Sequence, residues 1–206
     1  MTTMRTFDES MLIADLERLP GQLRVAFAAA CAERQMPAYR RVEAMDGREV
    51  PDALERALEE VWSDPGLAQD RGALEQRIEE LMALIPQEEG FQQSWTQEVT
   101  NAQNAGMSAV YALRAKLAGE AQEAVWAARV AYEALDNFVI NSENIDTNKP
   151  GEERRVLAHP LVQAELARQH RDLDELDAGK QDPAALIARL RDRARAEAAS
   201  FFGPPP

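Results

Sequence analysis

Residues 94–142, SWTQEVTNAQNAGMSAVYALRAKLAGEAQEAVWAARVAYEALDNFVINS, decide the fold. They split at Leu117-Ala118-Gly119-Glu120 into two long helices. Ser94 and Gln97 are spaced as a capping box, in which hydroxyl and carboxamide satisfy the free amides of a first turn. Trp95, Val99, Ala102, Gly106, Ala109 and Leu113 then recur at helical spacing, and most are small, so a second helix can approach closely. Gly119 supplies the left-handed residue that ends many helices. Val125, Ala128, Tyr132, Leu135 and Val139 form the apolar face of the returning helix, and so short a turn makes the pair antiparallel.

Outward from this hairpin the chain reads as more helices. Asp8 to Leu19 is a short one, with Met11, Leu12, Leu16 and Leu19 apolar. Pro20 opens a second to about Gln35 with Leu23, Phe27, Ala30 and Cys31 inward, and Pro37 separates it from a further segment over 38–45. Helices over 51–62 and 70–85 follow, divided by the turn residues Ser63-Asp64-Pro65-Gly66. After Ile140 the texture becomes polar: residues 141–158, with Asn144 and Asp146, are expected to form a loop. His159-Pro160 starts a helix to about Asp177, with His159 capping or packing at its start, and Asp182-Pro183 starts the last, to about Ser200. Residues 201–206, ending in three prolines, are expected to be a flexible tail. The expectation is an all-α, single-domain multi-helix bundle over 1–200, with about eight or nine helices around the central antiparallel hairpin.

The 206 residues are 45% apolar and 29% charged, and Ala, Leu, Glu and Arg, the strong helix formers, dominate. With 36 acidic against 23 basic side chains the net charge is −13. Such a chain repels nucleic acid and anionic membrane and attracts a basic partner. The single cysteine, Cys31, excludes an internal disulfide and reads as a small buried hydrophobe. The first residues lack a signal-peptide pattern, and no apolar run reaches the roughly 18 residues of a membrane span, so a cytoplasmic location is expected.

Several blocks carry a resemblance. Phe27-Ala28-Ala29-Ala30-Cys31-Ala32-Glu33-Arg34 is followed shortly by Pro37 and Tyr39. Leu58-Glu59-Glu60-Val61-Trp62 ends a helix in tryptophan. Ile85-Pro86, the Leu117–Glu120 turn and His159-Pro160-Leu161-Val162 come after in order. In these the chain resembles the YjaG-like family, a bacterial group of all-helical proteins of unknown function. The resemblance implies an all-α fold; it brings no activity, no cofactor and no functional residue.

Chemistry-bearing patterns are sparse. Neither histidine completes the E-x-x-H of a helical di-metal site, since Val156 precedes His159 by three and Ala167 precedes His170 by three. His170, with Glu165 before it and Asp174 one turn on, offers at most a weak two-ligand site; a surface histidine paired with Asp174 is the preferred reading. Glu55, Glu59 and Glu60 on one helix and Glu75, Glu79 and Glu80 on the next would make a magnesium site if at least three converged in one cavity. Arg56, Arg71 and Arg77 interleave with them as ion-paired, solvated faces would. No phosphate-binding glycine loop and no nucleophile elbow is present.

Two features point elsewhere. Gln97, Asn101, Asn104, Ser108 and Tyr111 form an uncharged polar stripe on the first hairpin helix: buried, it fixes helix register; exposed, it is a contact surface. Arg189, Arg191, Arg193 and Arg195 give the last helix a basic face suited to an acidic body, in the same chain or a neighbour. The sequence therefore reads as a non-enzymatic, acidic protein-binding module, immunity-type proteins that mask a basic partner or toxin being one example. Its contact residues are drawn from Gln97, Asn101, Asn104, Ser108, Asn144 and Asp146, and no cofactor is expected. The alternative is a magnesium-dependent nucleotide hydrolase or small-ligand binder using Glu55, Glu59, Glu75 and Glu79. Self-association as a homodimer is the third reading, with Trp62, Trp95 and Trp126 diagnostic: core if buried, interface if clustered outside.

Overall fold

The hairpin stands at the centre of a computed structural model that describes residues 4–46, 52–85 and 97–202. Helix α5 (Gln97–Ala118) and helix α6 (Ala121–Ser142) are joined by Gly119 and Glu120. The Asn141 carboxamide donates to Gln97 Oε1, and the Ser108 hydroxyl donates to the Ala127 carbonyl at 3.3 Å, so the ends and middles align as an antiparallel pair requires. Gly119 has φ +71°, the left-handed backbone that favours glycine, and the exposed Leu67 side chain lies against it, 2.9 Å from where a β-carbon would stand. A β-carbon on Gly106 would sit 2.9 Å from Ile85, which seats in the gap. Ser94 and Trp95 lie outside the described residues.

Helix α2 (Gly21–Asp46) threads through the bundle and packs most extensively on α5. Every residue from Val25 to Ala32 is buried, so over these eight positions the helix has no solvent face. Five alanines among those eight positions let neighbours approach from all sides. The expected break at Pro37 does not occur. The proline lies inside a continuous helix because burial of Met36, Ala38 and Tyr39 outweighs one lost backbone hydrogen bond.

Around this core stand α1 (Glu9–Glu17), α3 (Ala53–Ser63), α4 (Arg71–Met82), α8 (Pro160–Gly179) and α9 (Pro183–Ala198). Asp8 and Asp70 cap α1 and α4 by accepting from Met11 N and Ala73 N, each at 3.0 Å. His159 Nδ1 accepts from Leu161 N at 3.2 Å and caps α8, as its place before Pro160 suggested. Asp182 makes no side-chain cap on α9.

Two segments differ from expectation. The polar stretch 141–158 contains a short helix, α7 (Glu152–Leu157), and is pinned to the core through Ile145 and Val156. The tail is anchored at its beginning: Phe201 is buried and Phe202 packs on Phe138 with centroids 5.3 Å apart. Residues 203–206 lie outside the described residues. Among the described residues the protein is all-helical, and no helix is long and apolar enough to cross a membrane.

Candidate functional site

The densest chemistry lies where α2, α8 and α9 meet. Arg34 is fully buried on α2, and two carboxylates on α8, Glu165 and Asp172, are fully buried with it. Its guanidinium grips Glu165 through two bonds, Nη2 to Oε1 at 2.8 Å and Nε to Oε2 at 3.1 Å, and donates through Nη1 to Asp172 Oδ2 at 2.9 Å. Such a planar fork is what arginine offers a carboxylate and lysine does not. Gln169, one turn along α8, donates to Glu165 Oε1 and to the Ala128 carbonyl, each at 3.0 Å, and so ties the cluster to α6.

A second layer closes the cluster. Asp172 Oδ1 also accepts from Arg193 at 2.8 Å and from Arg171 at 3.0 Å. Glu197 pairs with Arg171 at 2.7 Å, Arg193 reaches Glu175 at 2.6 Å, and Arg168 lies 3.6 Å from Glu165. Arg34, Arg168, Arg171 and Arg193 thus face Glu165, Asp172, Glu175 and Glu197, a balanced set of charges. Burial opposes the charge on Arg34, but the Glu165 and Asp172 carboxylates outweigh it and hold the guanidinium firmly protonated. Burial pushes the Cys31 thiol strongly upward, so it remains a thiol and no nucleophile. The arrangement is suited to locking three helices together rather than to proton transfer.

The carboxylates proposed for magnesium are divided. Glu55 and Glu59 line a cleft of about 240 Å³ between α2 and α3, together with Glu33 and Asp52. Each of these acids meets an arginine: Glu55 with Arg40, Asp52 with Arg56, Glu33 with Arg195, and Glu59 with both Arg191 and Arg195. The basic face of α9 docks on its own chain. Glu75 and Glu79 lie away from the cleft, exposed on α4. Among the described residues no three His, Cys, Asp or Glu side chains are grouped as a metal site needs.

The polar stripe is likewise divided. Asn101 and Ser108 are buried and Gln97 and Asn104 half-buried, with Gln97 donating to Asn101 at 2.9 Å. Asn101 and Ser108 therefore belong to the hairpin interior and not to an exposed contact surface, because their bonds join α5 to itself and to α6. Asn144 and Asp146 are exposed, Asn144 at φ +51° and Asp146 accepting from Asn148 N at 3.2 Å. His170 makes no bond to Asp174; it borders a cleft of about 200 Å³ with Asp8 and Asp15. That cleft is roofed by residues 4–8, held to α8 by a reciprocal pair of 2.8 Å bonds between Gln163 and the Arg5 backbone. Trp62 is buried and donates to Glu33 at 2.7 Å, whereas Trp126 is half-buried beside Tyr111.

Sequence reasoning missed the Arg34 cluster. The available signal was Glu165, Gln169 and Asp172 at steps of four and three, interleaved with Val162, Leu166, Leu173 and Leu176 on the same helix.

The family described as a protein of unknown function, DUF416, matches residues 12–203. No curated protein matches the chain. The crystal structure of a DUF416 family protein from Shewanella baltica OS155 superposes with a TM-score of 0.80 at 20% identity, covering 97% of this chain and 99% of that one. At that identity the likeness is one of fold.

Proposed function

This chain belongs to the DUF416 family of proteins of unknown function, and from that premise we propose that it is a non-enzymatic protein-binding module with a basic protein as its partner. One observation carries the reading: internal pairing uses many of the chain's cations, while acids remain outside. Glu17, Glu75, Glu79, Glu98, Glu120, Glu153, Asp174 and Asp192 are exposed and have no ion-pair partner among the described residues. Arg34, Arg193 and Arg195 are by contrast bound to carboxylates of their own chain. A negative exterior speeds encounter with a positive partner and discriminates against acidic ones.

Masking a basic partner or toxin in the cytoplasm, in the manner of an immunity protein, is the specific form proposed, and the YjaG-like likeness of the helix-end blocks belongs to the same proposal. The hydrolase alternative has no comparable support, because Glu55 and Glu59 already hold arginines. The test is a pull-down with the tagged full chain from native lysate, washed at low and high salt and analysed by mass spectrometry. One stoichiometric basic protein, retained at low salt and depleted at high salt, is expected. Absence of such a partner under both washes overturns the reading.

A further inference from the structure

We propose that the partner's contact is a basic, amphipathic helical segment, and that it docks on one strip running from α4 across α5 to α6. The proposal rests on the binding-module reading and gives it a surface. At the centre of the strip Met82 is 36% exposed and its sulfur lies 3.5 Å from Arg114 Nη2. Arg114 stands over the Tyr111 ring at 5.6 Å, and that ring lies 5.6 Å from Trp126, tilted by 52°. Trp126 and Tyr111 are both half-buried. Methionine, arginine, tyrosine and tryptophan in contact are the residue types that concentrate at the energetic centres of protein interfaces.

The rim is acidic. Glu75 and Glu79 precede Met82 by seven and three residues and so occupy its flank of α4, exposed and unpaired among the described residues. Glu120 is exposed at the start of α6, and Glu123, one turn before Trp126, has a buried Oε2 with no hydrogen-bond partner. A centre of Met82, Tyr111 and Trp126, with Arg114 standing over the tyrosine ring and carboxylates along the edge, fits a segment that presents leucine-like side chains on one face and lysine or arginine on its flanks. Charge selects against the other occupants. A second copy of this chain would bring its own −13, and nucleic acid or an anionic bilayer would be repelled.

The test titrates the full chain into a labelled synthetic helix with leucines on one face and lysines on its flanks, and into a scrambled peptide of the same composition. Glu75→Lys/Glu79→Lys is compared with Glu153→Lys/Asp174→Lys, which changes net charge equally at exposed sites away from the strip. Strip reversal is expected to weaken the amphipathic peptide about tenfold or more, with the control pair within about threefold of wild type. Met82→Asp is expected to weaken it without any loss of negative charge. Equal weakening by both reversals, or equal binding of the scrambled peptide, overturns the proposal. So does loss of a self-associated species on strip reversal, which would identify a second copy as the occupant. The pull-down separates the two readings: a salt-sensitive basic partner captured equally by wild type and by Glu75→Lys/Glu79→Lys sinks this surface and leaves the binding module standing.

Discussion

Arg34 has no solvent exposure, and its charge is held by Glu165 and Asp172. Removing one member of a buried ion cluster leaves the others charged in a medium that cannot solvate them. Arg34→Met is therefore expected to lower unfolding free energy by about 3–5 kcal/mol in chemical denaturation. Arg34→Met/Glu165→Leu, which removes a bidentate partner as well, should recover at least about 1 kcal/mol of that loss. Arg34→Lys should fall between wild type and Arg34→Met, since a point charge cannot reproduce the fork. A loss below about 1 kcal/mol for Arg34→Met would show that the cluster does not hold α2 to α8. The sequence hid this feature for a physical reason: Arg34 lies 131 and 138 positions from the carboxylates that bind it, and helical periodicity reports only neighbours three or four apart. Cys31, by contrast, was legible as a buried small residue from its alanine surroundings alone.

Helices with one apolar face and a turn residue at the end were readable: α6 and α8 fall where their stripes and end residues place them, and α5 follows its stripe to the Gly119 turn. Helix α2 was not, because its stretch from Val25 to Ala32 is buried all round and shows no contrast between faces, and Pro37 imitates a stop. The basic face of α9 was visible as charge but its destination was not: Arg191 and Arg195 both hold Glu59 of α3, and Arg195 also holds Glu33 of α2. The Arg191 hydrogen bond, seconded by Arg195, holds the Glu59 carboxyl below its ordinary range. Glu59→Gln should cost about 0.5–1 kcal/mol, modest because these groups are partly solvated. Its clearer signature is local. Amide exchange in α9 should accelerate while that of α5 stays unchanged, since α5 is held by packing that Glu59 does not touch. Uniform acceleration through the whole bundle would show instead that α9 does not open on its own.

At the scale of the whole molecule, pH acts on two opposed sets of carboxylates. Burial, with Glu120 nearby and against the pull of Arg114, raises Glu123; burial likewise raises Asp136, reinforced by Glu133 and opposed by the Tyr132 hydrogen bond. A raised acid binds its proton more tightly folded than unfolded, so both groups destabilise the fold while ionised and cease to do so as pH falls through their raised values. Glu59 and Asp64 are lowered, Glu59 by Arg191 and Asp64 by its Lys116 and Gly66 hydrogen bonds. Their contribution is complete above the unfolded values and is lost as pH falls through the lower folded ones. General repulsion from a charge of −13 adds to the first set, because protonation relieves it. Melting temperature should therefore rise as pH falls from neutral through the raised values of Glu123 and Asp136, then drop as it falls further through the lowered values of the ion-paired carboxylates. Glu123→Gln separates the local term from the global one. The variant should melt above wild type at neutral and alkaline pH, and the gap should close as pH falls through the raised Glu123 value, where the wild-type carboxyl takes up the proton that glutamine never needed. Parallel profiles across that range would mean that the buried Oε2 is not what destabilises the fold at neutral pH, and would leave overall charge alone to explain the rising limb.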